Sequence, residues 1–235
     1  MKNSDVLLII PAYNEAGSIE RVVDELISKY SCYDYVVVTD GSTDGTDRIC
    51  DEKGYNTVHL PVNLGLTGCF RTGMKYASLE GYSYAVQFDG DGQHRPEYIK
   101  DLYDRATEGG YDIVLGSRFI GLKNSMGGLR NIGSKLIRMA IRITTGARVT
   151  DPTCGLRMYN RKMIDIFAWK LNYAPEPDTI SFLVKNGARI SEVPIMVTER
   201  EDGSSLYVNP INAARYMLKM LTSILLIQNF RIGGR

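Results

Sequence analysis

Val6-Leu-Leu-Ile-Ile-Pro-Ala-Tyr-Asn-Glu15 is the stretch on which the fold turns. Residues 6–10 are apolar at every position, without the alternation of a half-exposed strand, so they read as a strand covered on both faces. Ile19, Val22, Val23, Leu26, Ile27 and Tyr30 then recur at helical spacing and form one apolar stripe. A fully buried strand followed by an amphipathic helix is the repeating unit of a parallel sheet between helix layers. The strand's exit also excludes something: a dinucleotide fold would show G-x-G-x-x-G at this turn, and it is absent.

The unit recurs. Residues 35–38, 57–60, 84–88 and 113–115 read as strands, with helices expected near 44–53, 68–79 and 96–108, the last opened by Pro96. Beyond them the pattern predicts helices over 129–145, 161–169 and 179–186, a loop at 151–157, a strand at 190–197 and a long helix over about 209–230. The expected class is α/β, with a mainly parallel Rossmann-like sheet between helices and an amphipathic helix at the C-terminus. Residues 1–205 read as one catalytic domain and 206–235 as a C-terminal helix facing a membrane or a partner.

Composition narrows the class. The 235 residues are 44% apolar and 23% charged, ordinary for a globular chain, and the net charge of +1 supplies no field for nucleic acid. Cys32, Cys50, Cys69 and Cys154 form no C-x-x-C pair, so neither a thiolate zinc site nor a disulfide framework is expected. The polar first residues and the short run at 6–10 do not read as an export signal, and no run approaches the ~20 apolar residues of a membrane span. A cytoplasmic location is expected.

In sheets of this kind the ligand lies beyond the carboxyl ends of the strands. The sharpest signal there is Asp89-Gly-Asp-Gly-Gln-His94. Carboxylates at i and i+2 project the same way where a strand continues, and such a pair suits a hard divalent cation that completes its shell with substrate phosphates. Gln93 can add a neutral oxygen. An EF-hand fails, because the twelfth position is Lys100; a solvated acidic turn is the plain alternative. Tyr13 offers a ring for stacking on a base, and Glu15 a carboxylate for a base or ribose. Ser42, Thr43 and Asp44 read as turn and cap residues, whereas Asp40 at its strand tip is placed to touch a ligand. His59 reads as structural; His94 stays open between a structural and a substrate-contacting role.

IIPAYNE, TDGSTDGT, NLGLTG, FDGDGQHRPE and GSRF follow in that order, and Leu129-Arg130, Asp151-Pro-Thr-Cys-Gly-Leu-Arg157, Glu192-Val-Pro and Arg200-Glu-Asp-Gly-Ser204 continue the series. The ordered set resembles the family 2 glycosyltransferases of the GT-A type, above all the polyprenyl-phosphate sugar synthases such as dolichol-phosphate mannose synthases and undecaprenyl-phosphate glucosyltransferases. That resemblance implies that Pro11, Tyr13, Glu15 and Asp40 hold the nucleoside. It implies that Asp89, Asp91 and Gln93 hold Mg²⁺ or Mn²⁺ at the diphosphate. Arg118, Arg130, Ser134 and Arg200 would hold the donor and acceptor phosphates, and Asp151 would lie near the reacting centre. Thr39 stands where the family usually has the first of two aspartates, and the long membrane-spanning helices of many relatives have no counterpart in this sequence.

The acceptor can be argued from charge. A sugar hydroxyl needs a general base, whereas a phosphate monoester, with a second pKa near ~6, is already largely dianionic at neutral pH and needs only positive charge to place it. Residues 113–150 hold Arg118, Lys123, Arg130, Lys135, Arg138, Arg142 and Arg148 and no acid. Arg130, Ser134, Arg138 and Arg142 share one helix face, suited to an anionic acceptor and lipid headgroups; a merely solvated basic face is the alternative. Met217, Leu218, Leu221, Ile224, Leu225 and Ile227 give the last helix a broad apolar surface, edged by Arg215, Lys219 and Arg231. It can lie in a membrane interface, dock on a small membrane protein, pair with a second copy or pack on its own domain.

The expected activity is inverting transfer of a hexose from a nucleotide-diphosphate sugar to a polyprenyl phosphate, at the inner face of the membrane. One alternative is extension of a cell-surface polysaccharide on a sugar hydroxyl, which requires a base such as Asp151 or Glu176. Another is a non-catalytic nucleotide-sugar-binding subunit.

Overall fold

The computed structural model describes residues 2–121, 129–196 and 210–230. Seven strands, β1 (Val6–Ala12), β2 (Asp34–Asp40), β3 (Thr57–Leu60), β4 (Tyr84–Gln87), β5 (Ile113–Ser117), β6 (Arg157–Asn160) and β7 (Ile190–Pro194), form one sheet in the order β3-β2-β1-β4-β6-β5-β7. All neighbours pair in parallel except β6, which is antiparallel to both β4 and β5.

The unbroken apolar run of β1 has the cause expected of it. Leu7 and Ile9 face one core, with Phe70 and Met74 of α3 (Gly65–Leu79); Leu8 and Ile10 face the other, with Val22 and Val23 of α1 (Ile19–Lys29) and Ile99 and Leu102 of α4 (Tyr98–Gly109). Helix α3 lies so close on β1 that a Cβ at Gly73 would meet Ile9 Cγ2 at 2.2 Å, which is why a glycine sits inside that helix. The short α2 (Thr46–Glu52) follows β2 and buries Cys50. All four cysteines are free thiols.

Two elements differ from the pattern-based reading. Strand β6 was not expected, because residues 151–157 read as a loop and four residues beginning with arginine carry no strand periodicity. Arg157, Met158 and Tyr159 are nevertheless almost completely buried; β6 fills the slot between β4 and β5, and pairing on both sides makes a strand of it. Helix α3 begins at Gly65, earlier than residue 68, because Asp40 of β2 accepts hydrogen bonds from the backbone N–H groups of Leu64 (2.6 Å) and Gly65 (2.8 Å). A carboxylate 24 residues upstream caps that helix and complements its dipole.

The remaining helices are α5 (Leu129–Thr145), α6 (Arg161–Asp165) with a π-helical turn to Lys170, α7 (Pro177–Lys185) and α8 (Pro210–Leu225). Met220 and Ile224 of α8 are fully buried in the same core as Ile137 and Ile141 of α5 and Ile180 and Leu183 of α7. The last helix therefore packs one face on its own domain, and a buried hydrogen bond from Ser223 Oγ to Asp178 Oδ2 (2.6 Å) ties it to α7. No described helix is long and apolar enough to cross a membrane.

Candidate active site

The expected motifs converge at the carboxyl edge of the sheet. On the β1–β2 side the two loops are laced together. Asn14 adopts a left-handed φ of 55°, donates its N–H to Ser42 Oγ, and accepts from the N–H of Thr43 on Oδ1. Asp44 accepts from Ala16 N, Thr46 N and Thr46 Oγ1, and Thr46 Oγ1 accepts from Glu15 N. Ser42, Thr43 and Asp44 are thus bracing residues, and Asn14, which drew no notice from sequence, is the hub between the loops. A non-glycine residue in the left-handed region, held by Ser42 and Thr43 at a strand exit, marks a built site rather than a casual turn.

Above this brace Pro11 is the penultimate residue of β1, paired with Val38, and the ring of Tyr13 is half exposed as a stacking platform requires. Glu15 Oε2 accepts from Ser18 Oγ at 2.7 Å. Asp40 is in a different position from the one expected. It is 2% exposed and both carboxylate oxygens accept from the N-terminus of α3, so it braces the start of that helix. His59 is structural, held between Thr39 Oγ1 (2.9 Å) and Asp51 (3.0 Å).

After β4 the chain turns through Asp89–Gln93. Asp91 Oδ1 accepts from Gln93 N at 3.0 Å, which closes the turn, and the side chain of Asp89 is one-third exposed. Arg21 of α1 backs the turn: a Cβ at Gly92 would lie 2.7 Å from its guanidinium. No spacing in the sequence pointed to Arg21. Among the described residues no three His, Cys, Asp or Glu side chains form a closed metal shell. Two neighbouring carboxylates with an amide oxygen nearby fit a hard six-coordinate ion that keeps waters and takes substrate phosphates as its other ligands.

The opposite wall is built from β5 and the 151–157 loop. Arg118 grips Asp151 with Nε to Oδ2 (2.6 Å) and Nη2 to Oδ1 (2.9 Å), and its own backbone N–H adds a third bond at 3.1 Å. Asp151 is completely buried. The carboxylate expected near the reacting centre has both oxygens bound by Arg118, so it is not an open base. Asp178, the other internal acid of this region, is likewise occupied, by Ser223 and by Thr179 N. The Cys154 thiol is pushed up to about 12 by burial, against nucleophilic catalysis. Ser134 is buried in α5 and its Oγ has no hydrogen-bond partner. Arg138, one turn on, donates to Ser134 O and stacks on Phe119 (5.0 Å), beside Arg118. The side chain of Arg130 and all of Arg200, Lys123 and Arg231 lie outside the described residues.

Glu192 of β7 anchors this wall by accepting from the N–H groups of Thr150 and Asp151 at 2.8–2.9 Å. Burial raises its carboxyl above the ordinary value of 4.5 despite those bonds. The native state thus holds this proton more tightly than the unfolded chain. The group's contribution to stability is full below about pH 4.5 and is lost as pH rises through the raised folded value. Glu192→Gln keeps an acceptor and cannot ionise, so its stability relative to wild type is expected to improve between about pH 4 and about pH 7. Urea unfolding of both proteins at the two pH values checks this.

A half-exposed aromatic ring, the two aspartates of the 89–93 turn and the Arg118–Asp151 pair thus lie on loops at the carboxyl edge of the sheet. Residues 7–167 match the family described as glycosyl transferase family 2. The chain belongs to that family. Its fold agrees: this glycosyltransferase superposes on glucosyl-3-phosphoglycerate synthase from Mycobacterium tuberculosis, crystallised with Mn²⁺, UDP-glucose and phosphoglyceric acid. The TM-score is 0.68, at 20% identity over 94% of this chain and 79% of that one. The architecture is that of the GT-A glycosyltransferases. Among curated relatives, the polyprenol monophosphomannose synthase of Mycolicibacterium smegmatis is 33% identical over 85% of this chain and 79% of its own length. The undecaprenyl-phosphate mannosyltransferase of Micrococcus luteus is 32% identical over 85% and 86%. A UDP-N-acetylglucosamine–dolichyl-phosphate N-acetylglucosaminyltransferase of Methanococcus voltae is 29% identical over 83% and 86%.

Proposed function

We propose that this glycosyltransferase moves a hexose, in one inverting displacement, from a nucleotide-diphosphate sugar to a polyprenyl phosphate. The observation that carries the reading is the Arg118 wall. Its acid, Asp151, is bound on both oxygens by Arg118, and on α5 the buried Ser134 hydroxyl is left without a partner. With both oxygens of Asp151 held, the Arg118–Asp151 pair offers no open base to a sugar hydroxyl and suits an acceptor that arrives already negative. The three curated relatives named above carry mannose in two cases and N-acetylglucosamine in one, and all three names specify a polyprenol or a polyprenyl phosphate.

In this reading Tyr13 and the Pro11–Glu15 turn hold the nucleoside. Asp89, Asp91 and Gln93 hold Mg²⁺ or Mn²⁺ against the diphosphate. When bound, the ion neutralises charge on the departing nucleoside diphosphate. Arg118, with Arg130 and Arg200, orients the donor and acceptor phosphates; Asp151 keeps the Arg118 fork in one plane. An acceptor phosphate oxygen forms the new bond to the anomeric carbon as the bond to the β-phosphate oxygen breaks, and no proton need be removed from the attacking group. Ser134→Ala is expected to raise KM for the acceptor about fivefold, the worth of one hydrogen bond of ~1 kcal/mol, while leaving KM for the donor unchanged in steady-state assays.

The lipid acceptor calls for a membrane-facing surface. On α5 the exposed residues Leu136, Met139 and Ile143 alternate with Lys135 and Arg142, and Leu218 and Leu225 of α8 are exposed too. Apolar and basic side chains mixed on an outward face suit an anionic lipid surface. Two apolar side chains inserted into lipid contribute several kcal/mol, so Met139→Asp with Ile143→Asp is expected to cut binding to phosphatidylglycerol vesicles by at least about tenfold in sedimentation assays.

The function itself is tested by supplying Mg²⁺ or Mn²⁺, a panel of labelled UDP- and GDP-sugars and undecaprenyl phosphate. Label passing into the organic phase supports the reading; label passing only into soluble saccharide would replace it with polysaccharide extension.

A further inference from the structure

Asp89 is held more closely than a residue at a strand tip requires. Its backbone N–H donates to Nδ1 of His94 at 3.1 Å. That bond needs the lone pair on Nδ1 and so leaves the ring proton on Nε2. Nε2 in turn faces Oδ2 of the same Asp89 at 3.6 Å. The ring is only 7% exposed and stands at a steep angle to Phe88, with centroids 5.8 Å apart, so it has no freedom to turn away. The 151–157 loop closes the other side: a Cβ on Gly155 would fall 2.6 Å from Asp89 Oδ2 and 3.0 Å from His94 Cε1. That loop is rigid. The buried Arg157 guanidinium donates to the carbonyl oxygens of Cys154 (2.6 Å), Pro152 (2.9 Å) and Pro175.

We propose that His94 is a positioning residue for the metal carboxylate. Its Nε2–H, with Gly155 behind it, selects the rotamer of Asp89 that turns one oxygen toward the diphosphate. At 3.6 Å the contact is longer than a hydrogen bond, and a small rotation about the soft carboxylate torsion closes it. Partners of this kind, one step removed from a metal, are worth about 10- to 100-fold in metal affinity. The inference rests on the reading of Asp89 as a metal ligand. A histidine that merely filled space beside Phe88 would be replaceable by any ring of its size.

The test is Mn²⁺ affinity, read from the paramagnetic resonance of free Mn²⁺ with UDP or GDP present, on wild type and on His94→Phe, His94→Gln and His94→Asn. The phenylalanine variant is expected to bind Mn²⁺ about 10- to 100-fold more weakly with its thermal midpoint little changed. Glutamine, whose amide nitrogen falls near the position of Nε2, is expected to recover much of the loss; asparagine, which mimics Nδ1, is not. Wild-type affinity in the phenylalanine variant, or equal rescue by asparagine, would overturn the proposal and leave the metal site standing. Absence of Mn²⁺ binding in the wild type with either nucleotide would remove the metal site and this proposal with it.

Discussion

Asp91→Ala is expected to abolish measurable Mn²⁺ binding in the presence of nucleotide and to lower kcat/KM by at least about 10³-fold, because the charge building on the departing diphosphate loses several kcal/mol of stabilisation. The fold should survive. In the structure Asp91 closes its own turn by accepting from Gln93 N, a local bond worth ~1 kcal/mol, and is absent from both hydrophobic cores. Turnover and Mn²⁺ affinity should therefore collapse while the urea midpoint barely moves. Retention of more than about a tenth of the activity would count against the metal role and in favour of a non-catalytic, nucleotide-sugar-binding subunit, which needs no such carboxylate.

Arg118→Ala is the second large effect, and it strikes stability and activity together. Asp151 is completely buried and the Arg118 guanidinium bonds both of its oxygens. Truncating the arginine strands a buried carboxylate, at a cost of roughly 3 kcal/mol, the lower end of the range for a broken buried pair because the arginine side chain is itself 22% exposed. Arg118→Lys should fare little better, since an ammonium cannot make the two parallel bonds of a guanidinium. The double variant Arg118→Ala with Asp151→Asn removes the stranded charge. It is expected to regain most of the lost stability in urea unfolding and none of the lost turnover. That separation distinguishes an arginine that binds phosphate from one that only completes the fold.

Both expectations draw on features that differed in how openly the chain displayed them. The parallel β/α core was legible because β1 is apolar at every position and α1 carries a clean stripe, and each pattern has one physical cause. The Asp89–Gln93 turn was legible because two carboxylates at i and i+2 after a buried strand have few other uses. Strand β6 was not, because a four-residue segment led by an arginine acquires its state from β4 and β5 on either side. The C-terminal helix was legible as a helix but its packing was not, since its apolar residues were compatible with lipid, a partner or its own domain; the structure buries Met220 and Ile224 internally and leaves Leu218 and Leu225 outside.

Local pattern alone determined the class of fold, the sheet edge at which the glycine-bearing polar motifs gather and the choice of Asp89 and Asp91 as a carboxylate pair at i and i+2. Each follows from features within a few residues of one another: an unbroken apolar run, helical spacing and adjacent charge. The tertiary structure decided which polar groups remain available. Asp40 is taken by the start of α3, Asp151 by Arg118 and Asp178 by Ser223, while Ser134 is left unpaired. A side chain's partners are set by elements far away in the chain, and no periodicity encodes the meeting of residues 89 and 155, or of 118 and 151.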